Sequence, residues 1–255
     1  MILNVLEAGS GLPVVLLHGL FGAAQNFGAI QRRLAANWRV LALDLRNHGA
    51  SPHGFGMTYD SMADDVLETL RQRDARPCAL VGHSMGGKVA MRTALRAPDD
   101  VACLAVCDIA PVPYKPAFRE FAAAMARLDL SAGATRAALD AALADTVTEP
   151  GVRAFLLQNA RLGKAAGWRI GLTEIAAGLP DIEDWPEPIG AAYAGPTLFI
   201  SGARSNYVRP DHRPIIRQWF PAARFVQLKD AGHWLHADNP DGFLSVLDAF
   251  LKGWK

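Results

Sequence analysis

An excess of charge of either sign is missing from this chain. Its 26 lysines and arginines are matched by 25 aspartates and glutamates, which leaves a formal net charge of +1 over 255 residues. A protein that neutralises phosphate backbones or rests on an anionic lipid surface carries a basic excess, so neither nucleic acid nor membrane is expected as a partner. Long apolar runs are missing too. The opening Met1-Ile2-Leu3-Asn4-Val5-Leu6-Glu7 has no basic residue ahead of its apolar stretch, and Glu7 interrupts that stretch well short of a bilayer span. Export and anchoring are therefore not expected, and the cytoplasm is the default compartment. Cysteine is scarce. Cys78, Cys103 and Cys107 lie in apolar, strand-like segments with no C-x-x-C spacing, which favours buried thiols over metal ligands or disulfides. No metal site is readable, no cofactor motif is present, and internal repeats and low-complexity segments are absent.

What is there is an alternation of short, β-rich apolar runs with helical patterns, the mark of βα units around a parallel sheet. Strands are expected over Leu3 to Ala8, Pro13 to His18, Arg39 to Asp44, Cys78 to Val81, Val101 to Asp108, Thr197 to Ser201 and Arg224 to Lys229. Met62, Val66, Leu67 and Leu70 trace one helix face. A last helix starts at Asn239-Pro240, a cap residue followed by proline at the first helical position, with Phe243, Leu247, Phe250 and Leu251 as its buried stripe. The alternation breaks once, between Asp108 and Thr197. Phe118, Phe121, Met125 and Leu128 stand there at helical spacing, followed by Ala-rich and Leu-rich helix candidates with no strand among them. The expected organisation is a core of residues 1–110 and 190–255, with 111–189 inserted as a helical cap.

Gly82-His83-Ser84-Met85-Gly86-Gly87 follows the run Cys78-Ala79-Leu80-Val81 and leads into a helical stretch. Strand, sharp turn and helix around G-x-S-x-G describe a nucleophile elbow, in which the serine takes a strained backbone geometry and its Oγ stands exposed at the sheet edge. The glycines two before and two after it let strand and helix approach without a Cβ clash. A serine that attacks an acyl carbon needs donors for the oxyanion. One is expected from the Met85 amide, the other from the Leu20 amide in the turn His18-Gly19-Leu20-Phe21-Gly22, which follows the strand Val14-Val15-Leu16-Leu17. It also needs a base, and His233 in Ala231-Gly232-His233-Trp234 lies late in the chain between the last strand and the last helix. His236 is the competitor, read as a structural hydrogen-bonding or helix-entry residue. His83 adjoins the nucleophile with its ring turned away, His18 buttresses its turn, and His48, His53 and His212 read as loop residues.

The histidine in turn needs an acid. Asp108 ends the strand that follows the elbow helix, and a right-handed crossover puts that strand beside the one bearing Ser84. With strands about 4.8 Å apart, its carboxylate can meet His233 Nδ1. Capping the segment Ile109-Ala110-Pro111 is its alternative role, and Asp211 and Asp230 are the fallback acids. Asp44, in Asp44-Leu45-Arg46-Asn47-His48-Gly49, is explained by tying down its turn.

From Leu3 to Leu251 the chain resembles the α/β-hydrolase superfamily. His18-Gly19-Leu20-Phe21-Gly22, Asp44-Leu45-Arg46-Asn47-His48-Gly49-Ala50-Ser51, Gly82-His83-Ser84-Met85-Gly86-Gly87-Lys88 and Asp108-Ile109-Ala110-Pro111 resemble its YbfF-type branch of bacterial esterases and acyl-CoA thioesterases. The resemblance implies an α/β fold, a mostly parallel twisted sheet with helices on both faces and a helical cap after the strand ending at Asp108. Many superfamily members carry their acid after the strand that follows the cap. Here Gly202-Ala203-Arg204-Ser205-Asn206-Tyr207-Val208 puts Ser205 in that place, and the branch uses the earlier aspartate with the serine as an accessory. Ser84, Asp108 and His233 are thus implied as a triad with Ser205 beside it, and Phe21, Tyr114, Phe118, Phe121 and Tyr207 are expected around the pocket. Arg204 is read as a solvated loop residue or an anchor for an anionic substrate. The function expected is cofactor-free serine hydrolysis of small carboxylic esters or thioesters, acyl-CoA among them. C–C bond hydrolysis, haloperoxidase activity and a receptor with a hydrolase shell are the alternatives. The oligomeric state is not readable.

Overall fold

The computed structural model describes residues 1–131, 133–187 and 190–254. In chain order the elements are β1 (Val5–Ala8), β2 (Pro13–Leu17), α1 (Gly28–Leu34), β3 (Arg39–Leu43), α2 (Tyr59–Gln72), β4 (Cys78–His83), α3 (Met85–Arg96) and β5 (Val101–Cys107). They continue with α4 (Arg119–Ala126), α5 (Arg136–Leu143), α6 (Pro150–Leu157), β6 (Ala160–Arg161), β7 (Gly167–Trp168) and α7 (Leu172–Glu183). The chain ends with β8 (Thr197–Gly202), α8 (Arg213–Trp219), β9 (Ala223–Leu228), α9 (Leu235–Asp238) and α10 (Pro240–Lys252). Seven strands form one sheet in the order β1-β3-β2-β4-β5-β8-β9, in which β1 runs antiparallel to β3 and the remaining neighbours are parallel.

The central strands are apolar without interruption because both faces of the sheet are covered. Val15, Leu17, Leu41, Leu43, Leu80, Leu104 and Val106 belong to one core layer, with Met62, Val66 and Leu70 of α2 and Val89 of α3 packed on them. Their alternating neighbours Val14, Leu16, Val40, Ala42, Ala79, Val81 and Ala105 belong to the other, under Ile30 and Leu34 of α1 and Phe243, Leu247 and Leu251 of α10. Asn239 caps α10 as expected, its Oδ1 accepting from Gly242 N–H at 2.9 Å, and Pro240 follows at the first helical position. The stripe of α10 differs by one residue: Leu244 is buried and Phe250 is only half-buried.

Helices α4 to α7 lie between β5 and β8, over the expected insertion, whose last residues, Pro188 and Ile189, fall outside the described ones. Two corrections apply there. The stretch is not free of strands, since β6 and β7 pair as a two-stranded antiparallel ribbon. And α4 is shorter than the apolar spacing suggests: Phe118 is its N-cap and Leu128 lies beyond its end. The insertion has a small core of its own, with Leu139, Leu143 and Leu157 in it, while Met125, Leu156, Ile175 and Leu179 join the layer above the sheet. Among the described residues, no helix is long and apolar enough to cross a membrane.

Helix α3 lies directly on the sheet. A Cβ on Gly82 would stand 2.1 Å from the carbonyl oxygen of Gly86, and one on Gly86 would stand 2.4 Å from that of Leu17. Both obstacles are backbone, which cannot rotate aside. Gly82→Ala is therefore expected to cost about 3 kcal/mol or more, whereas Gly151→Ala, with nothing within 4 Å of its Cβ position, should be near neutral. Urea unfolding of both variants checks this, and equal midpoints would mean that α3 can lift off the sheet at little cost.

Candidate active site

Ser84 sits between β4 and α3 with φ 54° and ψ −122°, a left-handed backbone that costs a non-glycine residue energy. It is held there because Ser84 N–H donates to Cys107 O on β5 at 2.9 Å while its own carbonyl accepts from Gly87 and Lys88 N–H at 2.8 and 3.1 Å. The elbow thus locks strand to strand and opens the helix at once. Strand β4 runs two residues further than the apolar run implied, through His83, and α3 begins at Met85.

His233 Nε2 lies 3.0 Å from Ser84 Oγ, and His233 Nδ1 lies 2.8 Å from Asp108 Oδ2. Asp108 follows β5, beside β4 in the sheet, and is wholly buried. A carboxylate so placed must have its lone pairs occupied. Gly202 N–H donates to Oδ1 at 3.1 Å, and Ser205 Oγ donates to Oδ2 in a short hydrogen bond. Ser205 therefore meets the acid directly. Neither fallback acid is placed at His233: Asp211 is exposed and paired with Arg209, and no hydrogen bond joins Asp230 to the ring. Arg204 is exposed and donates to the carbonyl of Asp230. Asp44 accepts from Ala24 N–H, Ala50 N–H and Asn4 Nδ2, which ties down its turn.

Two aromatic contacts frame the His233 ring. Tyr207 stacks on it with centroids 4.0 Å apart and planes at 20°, and His83 Nε2–H donates to the His233 carbonyl at 2.7 Å. Burial, with the rings of His233 and His236 close by, holds His83 well below the usual imidazole range, so the ring is a neutral donor. His236 enters α9 and packs against Phe27 and His83, each with centroids 4.9 Å away. Its Nδ1 is buried without a partner, so the expected hydrogen-bonding role is not found at that atom.

The turn after β2 is held from both sides. Phe21 has φ 61°, its N–H donates to His48 Nε2 at 3.1 Å, and its carbonyl accepts from Asn159 Nδ2 of the insertion at 2.8 Å. His18 Nε2 accepts from Leu45 N–H at 3.0 Å. The Leu20 amide has no internal hydrogen bond among the described residues, and the Met85 amide opens α3, where the first N–H groups lack intrahelical acceptors. By its sequence position His48 reads as a loop residue. It is fully buried and belongs to this support, a role that only the fold reveals because its partner is 27 positions away. His212, also read as a loop residue, is buried too.

Two cavities meet at Ser84. The first, of about 210 Å³, is walled by Phe21, Phe118, Phe121, Phe155 and Trp234 and includes His233 and Tyr207. The second, of about 450 Å³, is lined by Met85, Lys88, Tyr114, Glu183 and Arg209 among others. Tyr114 belongs to the second, its hydroxyl already engaged between Ala110 N–H and the Tyr207 carbonyl. Lys88, absent from the expected site, is buried there. No group of three metal-ligating side chains occurs among the described residues.

A sequence profile of the alpha/beta hydrolase fold matches residues 13–240. The sn-1-specific diacylglycerol lipase ABHD11 of Mus musculus is 40% identical over 97% of this chain and 84% of its own length. Esterase YbfF of Escherichia coli K12 is 37% identical over 94% of this chain and 93% of its own. Among solved structures, one described as a marine microorganism esterase superposes with a TM-score of 0.94 at 34% identity, covering 98% of this chain and 99% of that one. The chain belongs to the alpha/beta hydrolase family. Within it, the chain stands close to the YbfF-type esterases.

The support beneath the Leu20 turn has a measurable consequence. Burial, with His18 close by, pushes His48 down to about 3, whereas the unfolded ring takes its proton near 6.5. Between those values the unfolded chain binds the extra proton, so this contribution is complete above pH 6.5 and is lost as pH falls from there toward 3. The thermal midpoint is expected to drop between pH 6.5 and 4.5, with a shallower slope in His48→Gln. Identical slopes in the two proteins would remove His48 from the acid response.

Proposed function

We propose that this carboxylic ester hydrolase works through an acyl-enzyme formed on Ser84. The observation that carries the reading is the unbroken hydrogen-bond chain from Asp108 through His233 to Ser84 Oγ, ending beside two amides with no internal partner among the described residues. A serine hydroxyl is a weak nucleophile until a base accepts its proton. His233 Nε2 takes that proton as Oγ bonds to the substrate carbonyl carbon, and the carbonyl electrons move onto oxygen. The amides of Leu20 and Met85 hold the oxyanion, preorganised because the Phe21 turn and the helix start cannot reorient. Asp108 fixes the His233 tautomer and stabilises the imidazolium. When the intermediate collapses, His233 returns the proton to the leaving oxygen. Water then repeats the sequence on the acyl-enzyme and frees the acid.

The same acyl-enzyme forms from a thioester, so thioesters, acyl-CoA included, fall within the proposed range. Residues 111–187 act as the cap over both cavities, through Phe118, Phe121 and Phe155 on the first and Tyr114 and Glu183 on the second. The cytoplasm is the proposed compartment, in keeping with three free, buried cysteines. The substrate is a small ester, and no cofactor enters any step.

Assays on p-nitrophenyl esters of graded chain length beside acyl-CoA thioesters test the range. Ser84→Ala should lower turnover at least ~10³-fold with the fold intact, and His233→Ala should match it while His236→Ala costs far less. Asp108→Asn should cost on the order of 10⁴-fold, the size expected when an imidazole is held in the wrong tautomer. Ser205→Ala should cost only about tenfold, the worth of one hydrogen bond. An Asp108→Asn enzyme close to wild type would sink this assignment of the acid, and a Ser84→Ala enzyme within tenfold of wild type would sink the mechanism.

A further inference from the structure

The two cavities differ in chemistry, and Lys88 makes the difference. It lies four residues beyond Ser84 on α3, about 6 Å along the helix axis at 1.5 Å per residue, and is 1% exposed. Among the described residues its Nζ has one hydrogen bond, to the Asp184 carbonyl at 2.7 Å. It otherwise faces the rings of Tyr59 and Tyr114, with centroids 5.3 and 4.9 Å away. Neither carboxylate at the end of α7 is in salt-bridge contact with Nζ, although the charge of Asp184 is felt there. Glu183 Oε2 is paired with Arg119 at 2.7 Å, and Asp184 Oδ1 accepts from Trp185 N–H at 2.8 Å. Glu183 Oε1 is buried without a partner, so the cavity offers one acceptor as well, in a carboxylate whose charge Arg119 offsets. Lys115 adds positive charge to the lining, while Arg209, also there, is paired with Asp211.

A buried ammonium with no carboxylate in contact is costly, and the cost is relieved when an anion enters. Burial accordingly lowers the Lys88 amine to about 7, against the opposing attraction of the Asp184 charge. The side of the substrate that reaches it follows from the proton transfer. His233 must protonate the leaving oxygen, and His233 lines the first cavity but not the second. The leaving group therefore departs along the apolar cavity, and the acyl group occupies the cavity of Met85 and Lys88.

We propose that the second cavity is an acyl subsite selective for acyl groups that end in a carboxylate, with Lys88 as the recognising cation. The preferred substrates are then monoesters or thioesters of short dicarboxylic acids with an apolar leaving group. A four- or five-carbon acyl chain spans the step from Ser84 to Lys88. This assignment rests on the acyl-enzyme reading above. It differs from a purely structural role, in which Lys88 only ties α3 to the end of α7 through the Asp184 carbonyl.

The test compares butyl hydrogen glutarate with butyl 5-methylhexanoate, in which an isopropyl group replaces the carboxylate, by following released butanol at pH 6.5. The wild-type enzyme is expected to favour the carboxylate ester at least tenfold in kcat/KM. Lys88→Met should lower that ratio at least tenfold, through KM, and Lys88→Arg should retain a preference for the carboxylate. Partial misfolding scales both substrates alike, so the ratio isolates recognition from stability. An unchanged ratio in Lys88→Met, or a wild-type preference for the isopropyl ester, overturns the proposal. So does a Lys88-dependent gain when the carboxylate is moved to the alcohol side, as in the acetyl ester of 4-hydroxybutanoate. If p-nitrophenyl acetate is cleaved and neither butyl ester is, the subsite assignment alone fails; if no ester is cleaved, the acyl-enzyme reading fails with it.

Discussion

A wholly buried carboxylate holds the site edge of this sheet together. Asp108 has no contact with solvent, so its acceptor capacity has to be met from inside the protein, where an unsatisfied charge costs several kcal/mol. Its donors come from three places: Gly202 at the end of β8, Ser205 just beyond it, and His233 after β9. One side chain thereby ties the strand ends of β5 and β8 to the loop that carries the imidazole. Its backbone takes part too, at φ 53° with N–H donating to Ile200 O at 2.8 Å. The position of His233 relative to Ser84 is thus a consequence of satisfying a buried acid.

The same economy appears around Ser84. Ser84, Phe21 and Asp108 all have positive φ, and all follow strands that are neighbours in the sheet or one strand removed. Such conformations persist only where hydrogen bonds over-determine them. Cys107 O holds Ser84, His48 and Asn159 hold Phe21, and Ile200 O holds Asp108. The supports of Phe21 come from the loop after β3 and from the insertion. The insertion therefore does two things, walling the cavities with aromatic side chains and fixing the turn that carries the Leu20 amide.

Much of this is legible in the amino-acid sequence. Strands buried on both faces read as continuous apolar runs, so the β2, β4 and β5 segments stand out in the sequence, and the Gly82–Gly87 segment identifies the elbow because a strand and a helix flank it. Asp108 was reachable from topology, since the right-handed crossover decides which strand lies beside β4. The insertion was harder. Its helices are short and its apolar residues are shared between a small local core and the main one, so Phe118 and Leu128 continue the periodicity of α4 while standing outside it. A ribbon of two-residue strands such as β6–β7 has too little pattern to be read at all.

By itself the sequence determined the α/β alternation, the elbow at Ser84, and the short set of residues able to serve it, because periodicity and turn chemistry are local properties of the chain. Tertiary structure alone decided which cavity each residue faces, that Ser205 bonds to Asp108, and that His48 supports the Phe21 turn across 27 positions. It also decided that Lys88 is buried beside Tyr59 and Tyr114. These are properties of burial and partnership between distant segments. The dielectric around a lysine and the identity of its neighbours exist only once α2, α3, the loop after β5 and the end of α7 have packed around it.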